Sequence, residues 1–553
     1  MIRYFIITLF LFCLISGCKG VQDGFLIHSV NGYTLQEGDS KKFEAIAVGN
    51  GKVIETGSAE ELTEKYSEFE TIDGYGQTLL PGLIDAHAHV MGLGFRELDV
   101  DVSGITSLEE TIEKVREFAE NNPDLEWIVG RGWNQVLWDG NEFPEAADLD
   151  NVVTDRPVYL TRIDGHAAWA NTKAMEMAGI SRDTPDTQGG RIIRDTRGSA
   201  TGIFIDAAMS NIRNIIPERT PIEEERAFEL ALEQMARHGL TSVHDARTGA
   251  ETWQMYKKFA DQGRLITRIY AMVPGTGEPY DEMTKYGPVE SYANDLLSLR
   301  SVKISADGAL GSRGAALLDH YHDDDGNSGL LFFSQEEMNE MLLKGASDGF
   351  QMNIHAIGDA ANRQVLDGFE YVTNQLGDQS DLRHRIEHAQ IVAVEDIPRF
   401  AELGLIASMQ PTHATSDMNM AEDRIGRERM EGAYAWQLYL DQGTVIAAGS
   451  DFPVEDVNPF YGLYSALTRQ DHDGMPPGGW YSEHRMRRIE ALRAFTIDAA
   501  YAAHQENITG SLEPGKWADF ILIDKDYFEI PASEIWKIQV NETWMAGQKV
   551  YGR

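Results

Sequence analysis

Eight short apolar runs, each ending in polar residues, constrain the fold of this chain more than any other feature. Helix-like stretches separate them: the second run, for example, follows PIEEERAFELALEQMARH. The runs are LLPGLIDAHAHV, GLTSVHDA, RLITRIYAMV, LRSVKISADGAL, FQMNIHAIGDAA, LRHRIEHAQI, GLIASMQPTH and GTVIAAGSDFPV. Apolar strands that alternate with helices indicate a parallel sheet covered by helices. Eight such units predict an α/β fold, a (β/α)8 TIM-like barrel, at residues 81–504.

The gap between the first and second runs is too long for a loop. Roughly 150 residues separate them, whereas a strand and helix in such a unit are usually joined by about 2–6 residues. We therefore expect an inserted subdomain at residues 95–225, after the first barrel strand.

The two ends of the chain contain short, alternating strands with Gly and Asn at the turns. GFLIHSVNGYTL and KKFEAIAVGNGKVIETG lie near the N-terminus, and WADFILIDKDYF and VNETWMAGQKVYGR lie near the C-terminus. This pattern is typical of hairpins. We predict one small β-sandwich domain formed by residues 24–80 together with residues 505–553.

The first residues, MIRYFIITLFLFCLISGCKG, differ from the rest of the chain. A basic residue precedes an apolar run that is shorter than the ~20 residues needed to span a bilayer. This pattern indicates a secretory signal peptide at residues 1–17. ISGC resembles a bacterial lipobox, which predicts a lipid on Cys18; a plain signal peptide cleaved elsewhere is the alternative. We expect an exported protein, lipid-anchored to the cell envelope at the outer membrane or periplasmic face.

Charge and cysteine usage narrow the partners and the metal ligands. The net charge of −40 argues against nucleic acid, because phosphate binding needs a basic surface. The only cysteines are Cys13 and Cys18, so the body of the chain has no disulfide and no thiolate ligand. A metal there would be held by histidine, carboxylate or a lysine-derived oxygen, which suits zinc, manganese, iron or nickel.

Polar residues at the ends of five runs form the candidate site, because barrels carry catalytic groups at the C-terminal ends of their strands. They are His87, His89, Lys303, His355, His388 and Asp451. Each alone has an ordinary reading, such as a structural histidine, a paired lysine or a helix-capping aspartate. In strand order at one end of a barrel, they predict a metal site. A lysine of lowered pKa can also react with CO₂, and the resulting carbamate could bridge two ions.

Six motifs resemble those of the amidohydrolase superfamily of metal-dependent hydrolases, in particular its family 3, the N-substituted formamide deformylase-like branch. They are PGLIDAHAH, VKISADGALGSRGAAL, HAIGDAA, RIEHAQ, QPTHA and GSDFPV. The resemblance runs from about Gly24 to the C-terminus. It implies one or two divalent ions, with zinc as the usual ion and other transition metals also compatible. In residue terms, it implies a first ion on His87, His89 and Asp451, a second on His355 and His388, and a carboxylated Lys303 between them.

The resemblance also implies a reaction: hydrolysis of a non-peptide C–N bond, such as that of an N-acyl or N-formyl amide, in a small molecule. A metal-activated hydroxide would attack, and Asp451 would act as general base and then as general acid. Two alternatives stay open. One is an aminohydrolase (deaminase) of a heterocycle on the same site. The other is a catalytically inactive, lipid-anchored binding protein, which predicts the loss of at least one metal position.

Four further residues are candidate substrate contacts, each with a structural alternative. They are Trp133 in GRGWNQVLWDG, His166 in RIDGHAAWAN, Arg313 in GALGSRGAAL and His413 in MQPTHA. Homodimers are common in the resembled family, so a homodimer is an expectation for this chain.

Overall fold

The computed structural model describes residues 24–36, 39–162, 167–187 and 189–553. The predicted signal peptide and Cys18 lie outside these residues. Among the described helices, none is both long enough and apolar enough to cross a membrane.

The N-terminal part is mostly strand. Its elements are β1 (Gly24–His28), β2 (Asn31–Gln36), β3 (Asp39–Phe43), β4 (Ala45–Gly49), β5 (Lys52–Gly57), α1 (Ala59–Lys65), β6 (Glu70–Asp73) and β7 (Thr78–Pro81). Helix α1 begins where the Ser58 hydroxyl accepts the backbone N–H of Glu61, as an N-cap serine does. The first barrel strand, β8 (Leu83–Ala88), and helix α2 (Val90–Leu98) follow.

The long insertion lies between α2 and the next barrel helix. It contains β9 (Val100–Asp101), α3 (Leu108–Asn121), β10 (Ile128–Trp133), α4 (Ala146–Asp150), β11 (Val158–Arg162), β12 (Ala167–Ala170), α5 (Thr172–Met177), β13 (Gly190–Arg194), β14 (Ala200–Asp206) and α6 (Ser210–Arg213). Its six strands form one mixed sheet in the order β13-β14-β12-β11-β10-β9. This sheet has its own hydrophobic clusters, so the insertion folds around a core of its own.

The rest of the barrel alternates strands with helices. Its elements are α7 (Pro221–Arg237), β15 (Leu240–Asp245), α8 (Ala250–Asp261), β16 (Arg268–Pro274), α9 (Glu278–Met283), β17 (Val289–Tyr292), β18 (Leu297–Ser305), α10 (Gln335–Ser347), β19 (Gln351–Ala356), α11 (Asp359–Leu376), β20 (Arg385–His388), α12 (Pro398–Glu402), β21 (Ile406–Met409), α13 (Pro411–Asp417), α14 (Ala421–Ile425), α15 (Trp436–Asp441), β22 (Ile446–Ala448), α16 (Pro459–Thr468), α17 (Arg488–Ala494) and α18 (Ile497–Ala502). The chain ends with β23 (Phe520–Ile523), β24 (Val540–Met545) and β25 (Gln548–Gly552).

Eight parallel strands form the central sheet, in the order β22-β21-β20-β19-β18-β16-β15-β8. Each of the eight apolar runs overlaps one of them, so the predicted parallel sheet is confirmed. The sheet is nearly closed: the backbone N–H of Asp451, just after β22, donates to the carbonyl of His87 in β8 at 2.8 Å. Gly449 lies at this junction, and a Cβ there would be 2.5 Å from Asp85 Oδ1. Glycine at this position therefore lets the last and first strands approach closely without strain.

Both termini contribute to the remaining sheets. One has four strands in the order β5-β4-β1-β6, and the other has six in the order β25-β24-β23-β7-β2-β3. Ile27 and Ile46 from the first share a hydrophobic cluster with Phe520 and Trp544 from the second. A buried ion pair joins this part to the barrel, with Arg268 Nε 2.7 Å from an oxygen of Asp519, so that the two parts hold each other in register.

Candidate metal centre

Strand β8 and the end of β22 bring three predicted ligands together. His87 Nε2 lies 3.7 Å and His89 Nε2 lies 3.2 Å from Asp451 Oδ1. Ligand atoms of the three residues all lie within 4.8 Å of one another, which is close enough for one ion. The two histidines converge because side chains two positions apart on a strand point the same way.

A second group meets the same distance limit, with Asp451 shared between the two. It consists of His388, His413 and Asp451, with ligand atoms within 4.8 Å of one another. His355, the other predicted ligand, is adjacent, with its ring centroid 4.4 Å from that of His388. The structure therefore places His413 among the possible ligands, where the sequence suggested only a substrate contact.

The histidines present one particular nitrogen to the cavity. Nδ1 of His89 is 3.0 Å from the carbonyl oxygen of Ala246, and Nδ1 of His388 is 2.7 Å from Oε1 of Gln410. Nδ1 of His87 is hydrogen-bonded to Glu387. Oxygen acceptors on Nδ1 hold the proton there and leave the Nε2 lone pair free to bind a metal.

Burial keeps the imidazoles of His87, His355 and His388 neutral, which is the form that binds metal. Desolvation, with the nearby charge of Lys303, lowers the pKa of His87 to about 4. Desolvation likewise holds the pKa of His355 and that of His388 well below the usual value. His87, His355 and His388 are therefore unprotonated at neutral pH. Burial by itself lowers the pKa of His89, but the neighbouring carboxylate of Asp451 outweighs it and raises the pKa above the usual value.

Lys303 and Asp451 have shifted pKa values as well. Burial lowers the pKa of Lys303 to about 8, against the opposing charges of Glu387 and Asp451. Burial by itself raises the pKa of Asp451, but the neighbouring imidazoles of His89, His87 and His413 outweigh it and hold the pKa below its usual value. Asp451 is thus a carboxylate, and Lys303 has a far larger neutral fraction than an exposed lysine.

The donor set fits a divalent transition metal. His355 Nε2, His413 Nε2 and Asp451 Oδ1 are buried and make no hydrogen bond among the described residues. An unsatisfied buried polar atom costs about 1–3 kcal/mol, a penalty that a coordinated cation would remove. Imidazole nitrogen with carboxylate oxygen, and no thiolate, is a borderline donor set that suits zinc and its neighbours.

Buried groups that the sequence did not reveal support the ligands. Glu387 is fully buried and bonds both His87 and Arg385, whose Nη2 donates to it at 3.1 Å. Asp85 accepts the backbone N–H of His87 at 3.1 Å and the hydroxyl of Ser450 at 2.6 Å. Both carboxylates lie inside strand-like runs, where no local pattern separates a supporting acid from any other buried polar residue.

The candidate ligands line a cavity of about 480 Å³. Its other walls carry Arg247, whose Nη2 donates to Ser305 Oγ at 2.7 Å, and two carboxylates, Asp417 and Glu455. Burial raises the pKa of both carboxyls against the charge of nearby His413. The cavity is therefore polar on several sides, as a site for a small polar molecule would be.

The other predicted substrate contacts lie elsewhere or outside the described residues. Trp133 is completely buried in the insertion, where its Nε1 donates to the carbonyl of Leu160 at 2.8 Å, so it is a core residue and not a cavity wall. Arg313 forms an ion pair with Asp323 at 2.8 Å and does not line the cavity, because this carboxylate holds its side chain away. His166 lies outside the described residues.

A family model agrees with this arrangement. The model described as the amidohydrolase family matches residues 70–551, which is most of the chain. The chain belongs to the amidohydrolase family. The match includes the nearly closed parallel sheet, the whole candidate centre and the insertion. The chain is therefore a hydrolase of a family that acts on C–N bonds.

Individual relatives cover this amidohydrolase almost end to end. It is 32% identical to the Bacillus subtilis protein YtcJ over 96% of this chain and 99% of that one. It is 28% identical to the N-substituted formamide deformylase of Arthrobacter pascens over 92% of this chain and 95% of that one. A solved structure, an uncharacterized metal-dependent hydrolase from Pyrococcus furiosus, matches with a TM-score of 0.74 and 28% identity over 92% of this chain and all of that one.

Proposed function

We propose that this amidohydrolase cleaves a non-peptide C–N bond, that of an N-acyl or N-formyl amide, in a small molecule. One or two divalent ions, with zinc as the first candidate, would be held by His87, His89, Lys303, His355, His388 and Asp451. The observation that carries the proposal is the arrangement of the histidines. Nδ1 of His87, His89 and His388 is bonded to oxygen, and all three residues place a ligand atom within 4.8 Å of one shared carboxylate, that of Asp451. The formamide deformylase named above supports the choice of bond.

Bound ions would supply Lewis-acid activation of water and of the substrate carbonyl. The chain itself supplies the proton transfers. Asp451 stays ionised and its Oδ1 has no hydrogen-bond donor among the described residues, so it can accept a proton from water. It would return that proton to the leaving nitrogen, as a general base and then a general acid. Lys303 lines the same cavity as the histidines and has a lowered pKa, which favours the neutral amine needed for carboxylation.

Replacing Asp451 by Asn tests the role of this carboxylate. We expect D451N to keep the fold and to lose at least 100-fold in kcat, because positioned proton transfer contributes about 10²–10⁴-fold. The matched control is D423N, the same change at an exposed aspartate on α14. Full turnover by D451N would refute the assignment.

A substrate screen tests the bond type and the alternatives. The panel contains N-formyl amines, N-acyl amino acids, dipeptides and aminated heterocycles, assayed with metal-loaded enzyme. Release of an amine together with a carboxylate supports the proposal, whereas ammonia without a carboxylate product indicates the deaminase. A chain that is inactive on the whole panel after metal loading would favour the binding protein.

We also propose that the protein is exported and anchored by a lipid on Cys18. The support is the lipobox-like ISGC after an apolar run. Mass spectrometry of the membrane fraction tests it: an unmodified Cys18 would refute the anchor.

A further inference from the structure

A second cavity, of about 800 Å³, lies in the insertion and shares no lining residue with the candidate metal centre. Five of its 14 lining residues are arginine: Arg96, Arg131, Arg162, Arg213 and Arg219. The whole chain has only 48 lysines and arginines among 553 residues, against 88 acidic residues. The lining of this cavity is therefore rich in positive charge, although the chain as a whole is strongly acidic. We name this cavity the arginine groove.

Rigid elements hold the groove. Arg131 lies on β10, and Tyr159 and Arg162 lie on the parallel neighbour β11, while Arg213 ends helix α6. Val129 and Arg131 share one strand face because side chains alternate. The positive groups are thus fixed by a sheet and a helix that belong to the core of the insertion.

Only part of this charge is neutralised within the described chain. Arg219 forms an ion pair with Asp99, and Arg96 lies 3.7 Å from a carboxylate oxygen of Glu97. Arg131 and Arg213, by contrast, have no carboxylate oxygen within 4.0 Å among the residues that the structure describes. The lining also contains two acidic residues, Asp99 and Glu218, so the arginines outnumber the acids by five to two. A concave surface with an excess of one charge focuses the electrostatic field and raises the local concentration of counter-ions.

Tyr159 provides an independent second observation. Its side chain is 3% exposed and lines the groove, and its hydroxyl is buried without a hydrogen-bond partner among the described residues. An unsatisfied buried hydroxyl is unfavourable, and a bound acceptor would satisfy it. Burial raises the pKa of Tyr159 to about 12, so the group remains a donor at neutral pH.

We propose that the arginine groove binds a small molecule that carries at least two anionic groups, phosphoryl or carboxylate. Guanidinium groups bind both kinds of group through paired N–H donors. Arg131 and Arg213 would hold the anionic groups, and the Tyr159 hydroxyl would donate to one of them. Helix α2 connects this site to the metal centre, with His89 before its first residue and Arg96 near its last turn.

Isothermal titration calorimetry on the metal-loaded enzyme tests the proposal with two probes. A sugar bisphosphate represents phosphoryl ligands, and tricarballylate represents polycarboxylates with little tendency to chelate. We expect at least one probe to bind in 50 mM salt and to bind more weakly in 300 mM salt, since charge pairing is screened. The probe that binds identifies the class of anion. Metal content measured before and after titration shows whether a probe has removed the metal.

Variants locate the binding. R131A and R213A should each weaken binding about tenfold or more, because each removes hydrogen bonds to a charged group, and the double variant should abolish it. Y159F should weaken it several-fold. The matched control is R237A, which removes an exposed arginine at the end of α7, outside the groove.

Two results would overturn the proposal. One is the absence of binding by both probes at millimolar concentration in low salt. The other is binding that R237A weakens as much as R131A does, because that pattern means general attraction to charge. D451N leaves the groove unchanged and should bind the probe like the wild type, so a failure of the proposed catalysis stays distinguishable from a failure of this site.

Discussion

Replacing Glu387 by Gln tests whether a buried ionic network supports the metal centre. Glu387 is fully buried and is hydrogen-bonded to Nδ1 of His87, and its Oε1 lies 2.8 Å from Nε of Arg385. Burial by itself raises the pKa of Glu387, but the charge of Arg385 and the hydrogen bond with His87 outweigh it and hold the pKa well below the usual range. The wild-type side chain is therefore a carboxylate, and E387Q removes a full negative charge.

The structure sets the size of the effect. Arg385 is fully buried, and its other contacts are neutral: the carbonyl of Ala86 at 2.5 Å, Ser408 Oγ at 2.8 Å and His244 Nδ1 at 2.9 Å. Breaking a buried ion pair from one side costs about 3–5 kcal/mol. For unfolding of the whole chain or of the barrel alone, this corresponds to a loss of roughly 3–6 °C in the midpoint.

Metal binding should change separately from stability. Removal of the oxygen partner that orients a ligating histidine usually weakens metal affinity by about 10–100-fold. We therefore expect metal-free E387Q to have a lower thermal midpoint than the metal-free wild type. We also expect it to bind zinc with a larger Kd, measured by competition with a chromophoric chelator.

A double-mutant cycle and a surface control make this test specific. R385M removes the opposite charge, so E387Q/R385M should be less destabilised than the sum of the single variants by at least about 1 kcal/mol. E428Q makes the same chemical change at an exposed position and should alter neither quantity. A metal-free E387Q within about 1 °C of the wild type, with an unchanged zinc Kd, would refute the reasoning.

Two further predictions concern stability and closure. Burial lowers the pKa of His384 to about 3, and its Nδ1 accepts a backbone N–H of β19. Folding therefore favours the neutral imidazole. The stability that this form contributes is fully present above pH 6.5 and is lost as the pH falls toward 3. Between pH 7.5 and 5 the loss in the free energy of unfolding is about 2 kcal/mol. The thermal midpoint of H384N should therefore fall less over that range than the midpoint of the wild type does. An equal fall in both proteins contradicts the assignment. G449A should destabilise the protein by about 1–3 kcal/mol and lower its metal content, because the new Cβ would lie 2.5 Å from Asp85 Oδ1 and 2.6 Å from His87 N. G57A is the control for G449A, because a Cβ at Gly57 would meet only ordinary contacts. Both variants are compared by thermal denaturation and metal analysis. Equal behaviour of the two would count against the closure argument.

The sequence predicts the eight-stranded parallel sheet well because the signal is local. An apolar run of strand length is visible in the letters themselves, and parallel strands bring their carboxyl ends to one edge. His87, His355 and His388 could therefore be placed near one another although they lie far apart in the chain. The structure adds the distances that bring them within reach of Asp451.

Contacts that depend on exact register were not predictable in the same way. Glu387 meets His87 across 300 positions of sequence, and nothing near either residue encodes that meeting. Arg313 follows a flexible, glycine-rich stretch that suggested a substrate contact, but Asp323 lies within reach and binds its side chain. Trp133 could not be placed from sequence because a buried tryptophan has the same local pattern in a core and in a pocket wall.

The contact that closes the barrel also assembles part of the metal centre, because it brings Asp451 after β22 next to His87 in β8. Asp451 and His388 both have left-handed backbones, with φ of 61° and 73°, an arrangement that costs a non-glycine residue of order 1–3 kcal/mol. Asp85 opposes that cost at the junction by binding Ser450, next to Asp451, and the backbone of His87. His87, His89 and Asp451 therefore come together only when the last strand meets the first. A metal that binds this arrangement stabilises the closed barrel, and the stabilisation grows with the metal's concentration and affinity. G449A is expected to bind the metal less well. Removing the metal should therefore lower the thermal midpoint of the wild type more than that of G449A.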